Sequence, residues 1–197
     1  MLDLGNVIIP VDFSRCHSAL ARVCRIPPEE IPHRIRASGL VDRFETGELS
    51  PENFVREVSA MLQMNLSMAG FWEIWSLIFV ADTLIPESML ESLARERQLL
   101  LLSNTNAIHF PMCLQKYTLL RHFHKFVLSY EVGALKPSMA IYQEAIARSG
   151  CRPEECFFAD DVAENVTAAR RQGIDAVQFH SLEQLERDLR QRGITWS

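Results

Sequence analysis

Residues 156–165 read Cys-Phe-Phe-Ala-Asp-Asp-Val-Ala-Glu-Asn, and this stretch decides the fold. Its first four residues, Cys156 to Ala159, are an unbroken apolar run that ends on two adjacent carboxylates, Asp160 and Asp161. A strand covered on both faces needs such a run, and strands of that kind belong to parallel sheets. The pattern from Val162 to Gln172 then turns helical, which places the two carboxylates at the junction of a strand and a helix. In an open parallel sheet the carboxyl ends of the strands converge on one crevice, where ligands bind.

Working outward, three more polar signals recur along the chain. They are Asp3 in Leu-Asp-Leu-Gly-Asn-Val, Ser103 in Leu-Leu-Leu-Leu-Ser-Asn-Thr-Asn, and Lys136 in Gly-Ala-Leu-Lys-Pro. Strands are expected at Leu99 to Leu102, Phe126 to Leu128, Cys156 to Ala159 and Ile174 to Phe179. Helices are expected from Ala107 to Lys116, from Pro137 through Arg148, from Val162 to Gln172 and from Ser181 to Arg190. Strand and helix in alternation imply an α/β fold, a Rossmann-like parallel sheet sandwiched by helices. Only Met1 and Leu2 precede Asp3, whereas a buried strand usually has about five or six residues. Either the first strand is short or the natural start lies upstream.

Between Asp12 and Asp82 the sequence offers no strand run. Ser50-Pro51-Glu52-Asn53 has the cap, proline and acid of a helix start, with Phe54, Val55, Val58, Met61 and Leu62 as its apolar face. A second apolar face, Phe71, Trp72, Trp75, Ile78 and Phe79, follows Ser67. The expected organisation is therefore a core of residues 1–11 and 83–197, with a small helical unit of residues 12–82 inserted after the first strand.

Composition narrows the function. A formal charge of −5 and a pI near 5.7 give no basic footprint for nucleic acid, so small metabolites are the expected ligands. The five cysteines show no Cys-x-x-Cys spacing and read as reduced, packed thiols. The apolar stretch from Phe71 to Val80 is broken by Glu73 and Ser76, and no basic region precedes an apolar one at the start. No membrane span or signal peptide is expected, and the expected location is the cytoplasm.

Each polar signal has a chemical reading and a plain one. Asp3, followed by Gly5 and Asn6 at a sharp strand exit, can attack phosphorus and form an aspartyl-phosphate, or can simply cap a turn. Asp160 and Asp161 would repel one another unless a cation compensates, and their hard oxygens suit Mg2+; the alternative is an acidic helix cap. Asn165, on the first turn of the following helix, can orient a carboxylate or a bound water. Lys136 can clamp a phosphate, and Ser103 with the N–H groups after it can donate to phosphate oxygens. Each could equally be an ordinary surface or turn residue. His122 and His124 form a His-x-His pair with no third ligand nearby, which favours a plain connection between elements.

Taken in order, Asp-Leu-Gly-Asn-Val, Leu-Ser-Asn-Thr-Asn, Leu-Lys-Pro and Phe-Phe-Ala-Asp-Asp-Val-Ala-Glu-Asn resemble the four motifs of the haloacid dehalogenase (HAD) superfamily. The helical insertion resembles that family's small α-helical cap. Within the superfamily the chain is most similar to the bacterial α-D-glucose-1-phosphate phosphatase group, itself related to the phosphatase domain of soluble epoxide hydrolase. The resemblance implies Asp3 as nucleophile and metal ligand, Asp161 as the chief side-chain Mg2+ ligand and Asp160 close to or on the metal. It makes the carbonyl of Gly5 a further ligand, Ser103 and Asn104 phosphate binders, and Lys136 the electrostatic clamp. It also implies a cap that closes over substrate, with hinges near Ile9 to Asp12 and Asp82 to Pro86.

One departure bears on mechanism. Many phosphatases of the superfamily carry a second Asp two residues after the nucleophile as general acid and base, and here that position is Gly5. Asp12 and His33 are the substitutes considered. The expected function is a Mg2+-dependent phosphatase for a small phosphorylated metabolite such as glucose 1-phosphate, acting as monomer or homodimer. The alternatives are a catalytically weak binding or regulatory protein on the same scaffold, and a 2-haloacid dehalogenase.

Overall fold

Four short strands, β1 (Leu100–Ser103), β2 (Lys125–Leu128), β3 (Phe157–Asp160) and β4 (Asp175–Gln178), form in a computed structural model that describes residues 1–80 and 82–196. β1 pairs in parallel with β2, and β3 with β4, so that Ser103 lies opposite Leu128 and Asp160 opposite Gln178. The two pairs are joined by the first residues of the chain, since Leu2 bridges Leu101 on one side and Ala159 on the other, both in parallel sense. Leu2 N–H donates to Leu100 O at 3.0 Å, and Asp3 N–H donates to Ala159 O at 3.0 Å. The resulting order is β2, β1, residues 1–3, β3, β4. Asp3 and Asp160 thus face each other across the place where the chain order reverses, the usual position of an α/β binding crevice.

Alternation along the strands explains why helices cover both faces. Leu100, Leu102, Val127, Phe158 and Ala176 bury into one cluster with Ile141, Tyr142 and Ala145 of α9 (Met139–Ser149) and Val166 and Ala169 of α10 (Ala163–Arg171). Leu101, Leu128, Ala159 and Val177 point the other way. They pack with α6 (Glu87–Glu96), α7 (His109–Lys116) and α11 (Leu182–Gln191). The doubly covered parallel sheet expected from the sequence is the fold observed.

Two helix starts differ from expectation. α9 begins at Met139 rather than Pro137, because the Ser138 hydroxyl caps it by accepting from Ala140 N–H. α7 begins at His109 rather than Ala107, because Asn106 Oδ1 accepts from both Ile108 N–H and His109 N–H at 3.2 and 3.0 Å. A one-turn helix after β2, α8 (Ser129–Val132), is too short to show a period in sequence.

The segment between the first strand position and α6 holds α1 (Phe13–Leu20), α2 (Ile31–Ser38), α3 (Leu40–Glu45), α4 (Pro51–Met61) and α5 (Met68–Trp75). Ser50 and Ser67 cap α4 and α5 by accepting from Asn53 N–H and Gly70 N–H. Phe44, Phe54, Phe71 and Trp75 form the aromatic centre of this segment, with Phe44 stacked on Phe54 at 4.2 Å and Phe71 on Trp75 at 5.5 Å. Trp72, expected on the same face, is exposed instead. Where the segment leaves and re-enters the core, Val11 and Phe79 form an antiparallel bridge, and Asp12 N–H donates to Ile78 O at 2.8 Å. Ala81 and Ser197, within the expected cap and core ranges, lie outside the described residues. Among the described residues no helix is long and apolar enough to cross a membrane.

Candidate active site

Asp3 leaves the central strand position and Asp160 ends β3, so both carboxylates emerge from the same edge of the sheet. Lys136, in the turn before α9, places its ammonium between them, 2.7 Å from Asp3 Oδ1 and 2.6 Å from Asp160 Oδ2. Its third donor position is taken by Leu102 O at 3.1 Å, and the ring of Phe158 lies 5.6 Å beneath it. The side chain of Lys136 is 1% exposed and that of Asp160 is 0% exposed, so these charges interact in a low dielectric. Burial alone would discharge the lysine, yet Asp3 and Asp160 outweigh it and hold the ammonium charged above its ordinary range. For Asp3, burial raises the carboxyl, Lys136 lowers it and Asp160 raises it again, leaving it pushed up to about 6.

Asp160 has little coordination left to offer. Its Oδ2 accepts from Lys136, its Oδ1 accepts from Val162 N–H at 2.8 Å, and Asn165 Nδ2 donates to both oxygens at 3.0 and 3.1 Å. Asn165 therefore orients a carboxylate, one of the two roles expected of it. Asp161 is half-buried, and its side chain accepts from Asn6 Nδ2 at 3.2 Å. Asn6 adopts a left-handed conformation, φ 54°, which Asn tolerates better than most residues. Its Oδ1 meanwhile accepts from Val11 N–H at 3.0 Å.

One oxygen each from Asp3, Asp160 and Asp161 lies within 4.8 Å of the others. Three carboxylates facing a single lysine leave an excess of negative charge, and hard oxygen donors in such a set fit Mg2+. An open pocket of about 640 Å³ lined by Asn6, Thr83, Asp161, His180, Ser181 and Glu183 adjoins the cluster. A separate apolar cavity of about 320 Å³, lined by Leu2, Leu90, Leu100, Phe157 and Leu189, lies at the opposite, amino ends of the strands and takes no part in this site.

Ser103 ends β1 and is 1% exposed; its hydroxyl donates weakly to Asn104 O at 3.3 Å. The Asn104 side chain clasps the backbone of Lys136, accepting from Lys136 N–H at 2.8 Å and donating to Lys136 O at 3.0 Å. What Asn104 leaves for a ligand is its main-chain N–H. Gly5 has no positive φ, and a Cβ there would meet Val11 Cγ2 at 3.4 Å, so the backbone itself does not demand glycine. Asp12 and His33 both lie on exposed positions of the helical segment. The Asp12 carboxylate caps α1 by accepting from Ser14 N–H and Oγ, which hold it below its ordinary range. His122 pairs with Glu87, while His124 Nδ1 accepts from Leu99 N–H, so the His-x-His pair does not converge.

The family model for haloacid dehalogenase-like hydrolases matches residues 19–173. The chain belongs to this family. A D-ribitol-5-phosphate phosphatase of Bacteroides thetaiotaomicron is 24% identical over 184 residues, which cover 90% of this chain and 89% of that protein. The structure of a HAD family enzyme from the same organism, in complex with magnesium and inorganic phosphate, superposes with a TM-score of 0.80 at 26% identity, covering 92% and 93% of the two chains. A HAD-like hydrolase of Porphyromonas gingivalis gives a TM-score of 0.83 at 28% identity, covering 96% of each. These HAD relatives thus share the fold over nearly the full chain.

Sequence reasoning missed three contributors to this HAD crevice: Asn6, Asn106 and the Leu102 carbonyl. Asn6 and Asn106 stand inside the quoted motifs, but nothing in their spacing says which partner each side chain finds.

Proposed function

We propose that this chain is a Mg2+-dependent phosphatase acting on a small phosphorylated sugar or polyol through an aspartyl-phosphate. The observation that carries the reading is the Asp3–Lys136–Asp160 arrangement beside Asp161, at the carboxyl edge of the sheet where the strand order reverses. In this reading Asp3 and Asp161, with the Gly5 carbonyl, would hold the metal, which supplies charge neutralisation for an incoming phosphate dianion. Asp160, saturated by Lys136, Asn165 and Val162 N–H, acts mainly by fixing the lysine.

The free oxygen of Asp3 attacks phosphorus. Lys136 keeps Asp3 ionised and aimed, and neutralises charge that builds on the transferring group. Ser103 and the N–H of Asn104 donate to phosphate oxygens. Helices α1–α5, residues 12–82, are read as a cap that excludes water and selects the leaving group, hinged around the bridge between Val11 and Phe79. A relative named for D-ribitol 5-phosphate supports a phosphorylated polyol beside glucose 1-phosphate as candidate substrates.

The test is phosphate release from a panel of sugar and polyol phosphates, with magnesium and with chelator, using Asp3→Asn as blank. Magnesium-dependent release that disappears in Asp3→Asn is the expected result. Unchanged release by Asp3→Asn would overturn the covalent mechanism, and release of halide from a 2-haloacid instead of phosphate would overturn the substrate class.

A further inference from the structure

The crevice does not end at Asp161. That carboxylate and Asn6 also line the open pocket of about 640 Å³, together with Thr83, His180, Ser181 and Glu183. Its volume lies within the range of small-ligand sites, about 300–1,000 Å³. A substrate with phosphorus at Asp3 must put its organic part somewhere, and this pocket shares two residues with the cluster.

Hydrogen bonds fix the residues that form it. Phe179 N–H donates to Asp160 O at 2.9 Å, and Gln178 Nε2 donates to Asp161 O at 2.9 Å. The loop after β4 is therefore tied through main-chain carbonyls to the two residues that carry the carboxylates. The Ser181 hydroxyl caps α11 by accepting from Gln184 N–H at 3.2 Å, and Gln184 Oε1 accepts in turn from His180 N–H at 3.0 Å. In the stretch that follows the helical segment, Leu84 N–H donates to Ile8 O at 2.9 Å and Thr83 Oγ1 donates to Ile85 O at 3.1 Å. The Asn6 amide is occupied by Asp161 and Val11. The pocket is thus organised before a ligand arrives, which reduces the ordering that binding requires.

Its polar groups divide in two. Asn6, Thr83 and Ser181 hold the walls, whereas His180 and Glu183 are exposed. An imidazole nitrogen can donate to or accept from a hydroxyl, and a carboxylate can accept from two neighbouring hydroxyls at once. The Glu183 N–H and the Ser181 hydroxyl hold the Glu183 carboxyl below its ordinary range, so it is ionised at neutral pH. Buried Phe179 adds an apolar surface suited to the C–H side of a carbon chain. Among the described residues that line the pocket there is no lysine or arginine. Metal bound at Asp161 would offset that carboxylate, but the charge of Glu183 would stay and repel an anionic chain.

We propose that this pocket binds the organic part of the substrate, and that His180 and Glu183 select a neutral chain of neighbouring hydroxyls over one that ends in a carboxylate or a second phosphate. The core then shares with the helical segment the choice of leaving group.

The proposal rests on the phosphatase reading, and three esters separate the two. Wild type, Glu183→Gln, His180→Ala and Leu84→Trp are assayed with magnesium on sorbitol 6-phosphate, 6-phosphogluconate and acetyl phosphate. The first two differ only in whether the far carbon is an alcohol or a carboxylate, and the third has no hydroxyl chain. Leu84 lines the pocket and is exposed, so tryptophan there reduces the space. Wild type is expected to prefer sorbitol 6-phosphate over 6-phosphogluconate by about tenfold or more in kcat/KM, and Glu183→Gln to narrow that preference about three- to tenfold. Added salt should narrow it in wild type as well. His180→Ala and Leu84→Trp should each lower kcat/KM on sorbitol 6-phosphate about three- to tenfold relative to acetyl phosphate, mainly through KM. A preference unchanged in Glu183→Gln, a wild type that favours 6-phosphogluconate, or equal losses on sorbitol 6-phosphate and acetyl phosphate would overturn the proposal and leave the phosphatase reading in place. So would a wild type that hydrolyses acetyl phosphate but neither six-carbon ester. Release of phosphate from none of the three would overturn both. Should Leu84→Trp melt well below wild type, His180→Ala alone must show the shift.

Discussion

Replacing Lys136 with Met removes a buried ammonium of similar shape from between two carboxylates that it holds at 2.7 and 2.6 Å. Breaking a buried pair by deleting one partner typically costs about 3–5 kcal/mol, because the charge left behind has neither water nor a counterion. Here two carboxylates are left, so the upper half of that range is expected at pH 8 in chelator. The loss must depend on pH. Asp3 already binds its proton more tightly in the folded protein, rising from 3.8 to about 6, so folded stability declines as pH climbs through that window. Without the ammonium the upper edge of the window moves higher, and the variant keeps losing stability above pH 6, where the wild type has levelled. Urea unfolding in EDTA at pH 5 and pH 8 reads both effects. A deficit below about 1 kcal/mol at pH 8, or one equal at the two pH values, would refute this account of Lys136 as counterion to Asp3 and Asp160.

Asn6→Ala loses the hydrogen bonds to Asp161 and Val11 and puts alanine at φ 54°, so a stability loss of about 2–3 kcal/mol with weaker magnesium binding by calorimetry is expected. Asn6→Gly relieves the backbone but not the side-chain loss, and should recover stability without recovering magnesium affinity. Gly47→Ala forces a Cβ toward Tyr130 O, where backbone rather than a flexible side chain must yield, so a loss of about 2–4 kcal/mol is expected in thermal or urea melts.

The sheet was legible because its signal is local. Each strand is a run of apolar residues, and the two faces of Leu100 to Ser103 or Phe157 to Asp160 are both buried, so composition alone marks them. The candidate nucleophile and its partners were legible for the same reason, since Asp3, Ser103 and Asp160 each terminate such a run or follow it. Lys136 was placed by its neighbours in sequence, but what holds it was not legible there: the Asn104 clasp on its backbone and the Leu102 carbonyl at its ammonium come from β1 and the residue after it.

Charge balance connects these details. Asp160 uses both oxygens on Lys136, Asn165 and Val162, so it serves to place the cation and contributes little to binding anything else. Asp3 and Asp161 then carry the remaining negative charge, which suits a divalent cation but would repel a phosphate dianion without one.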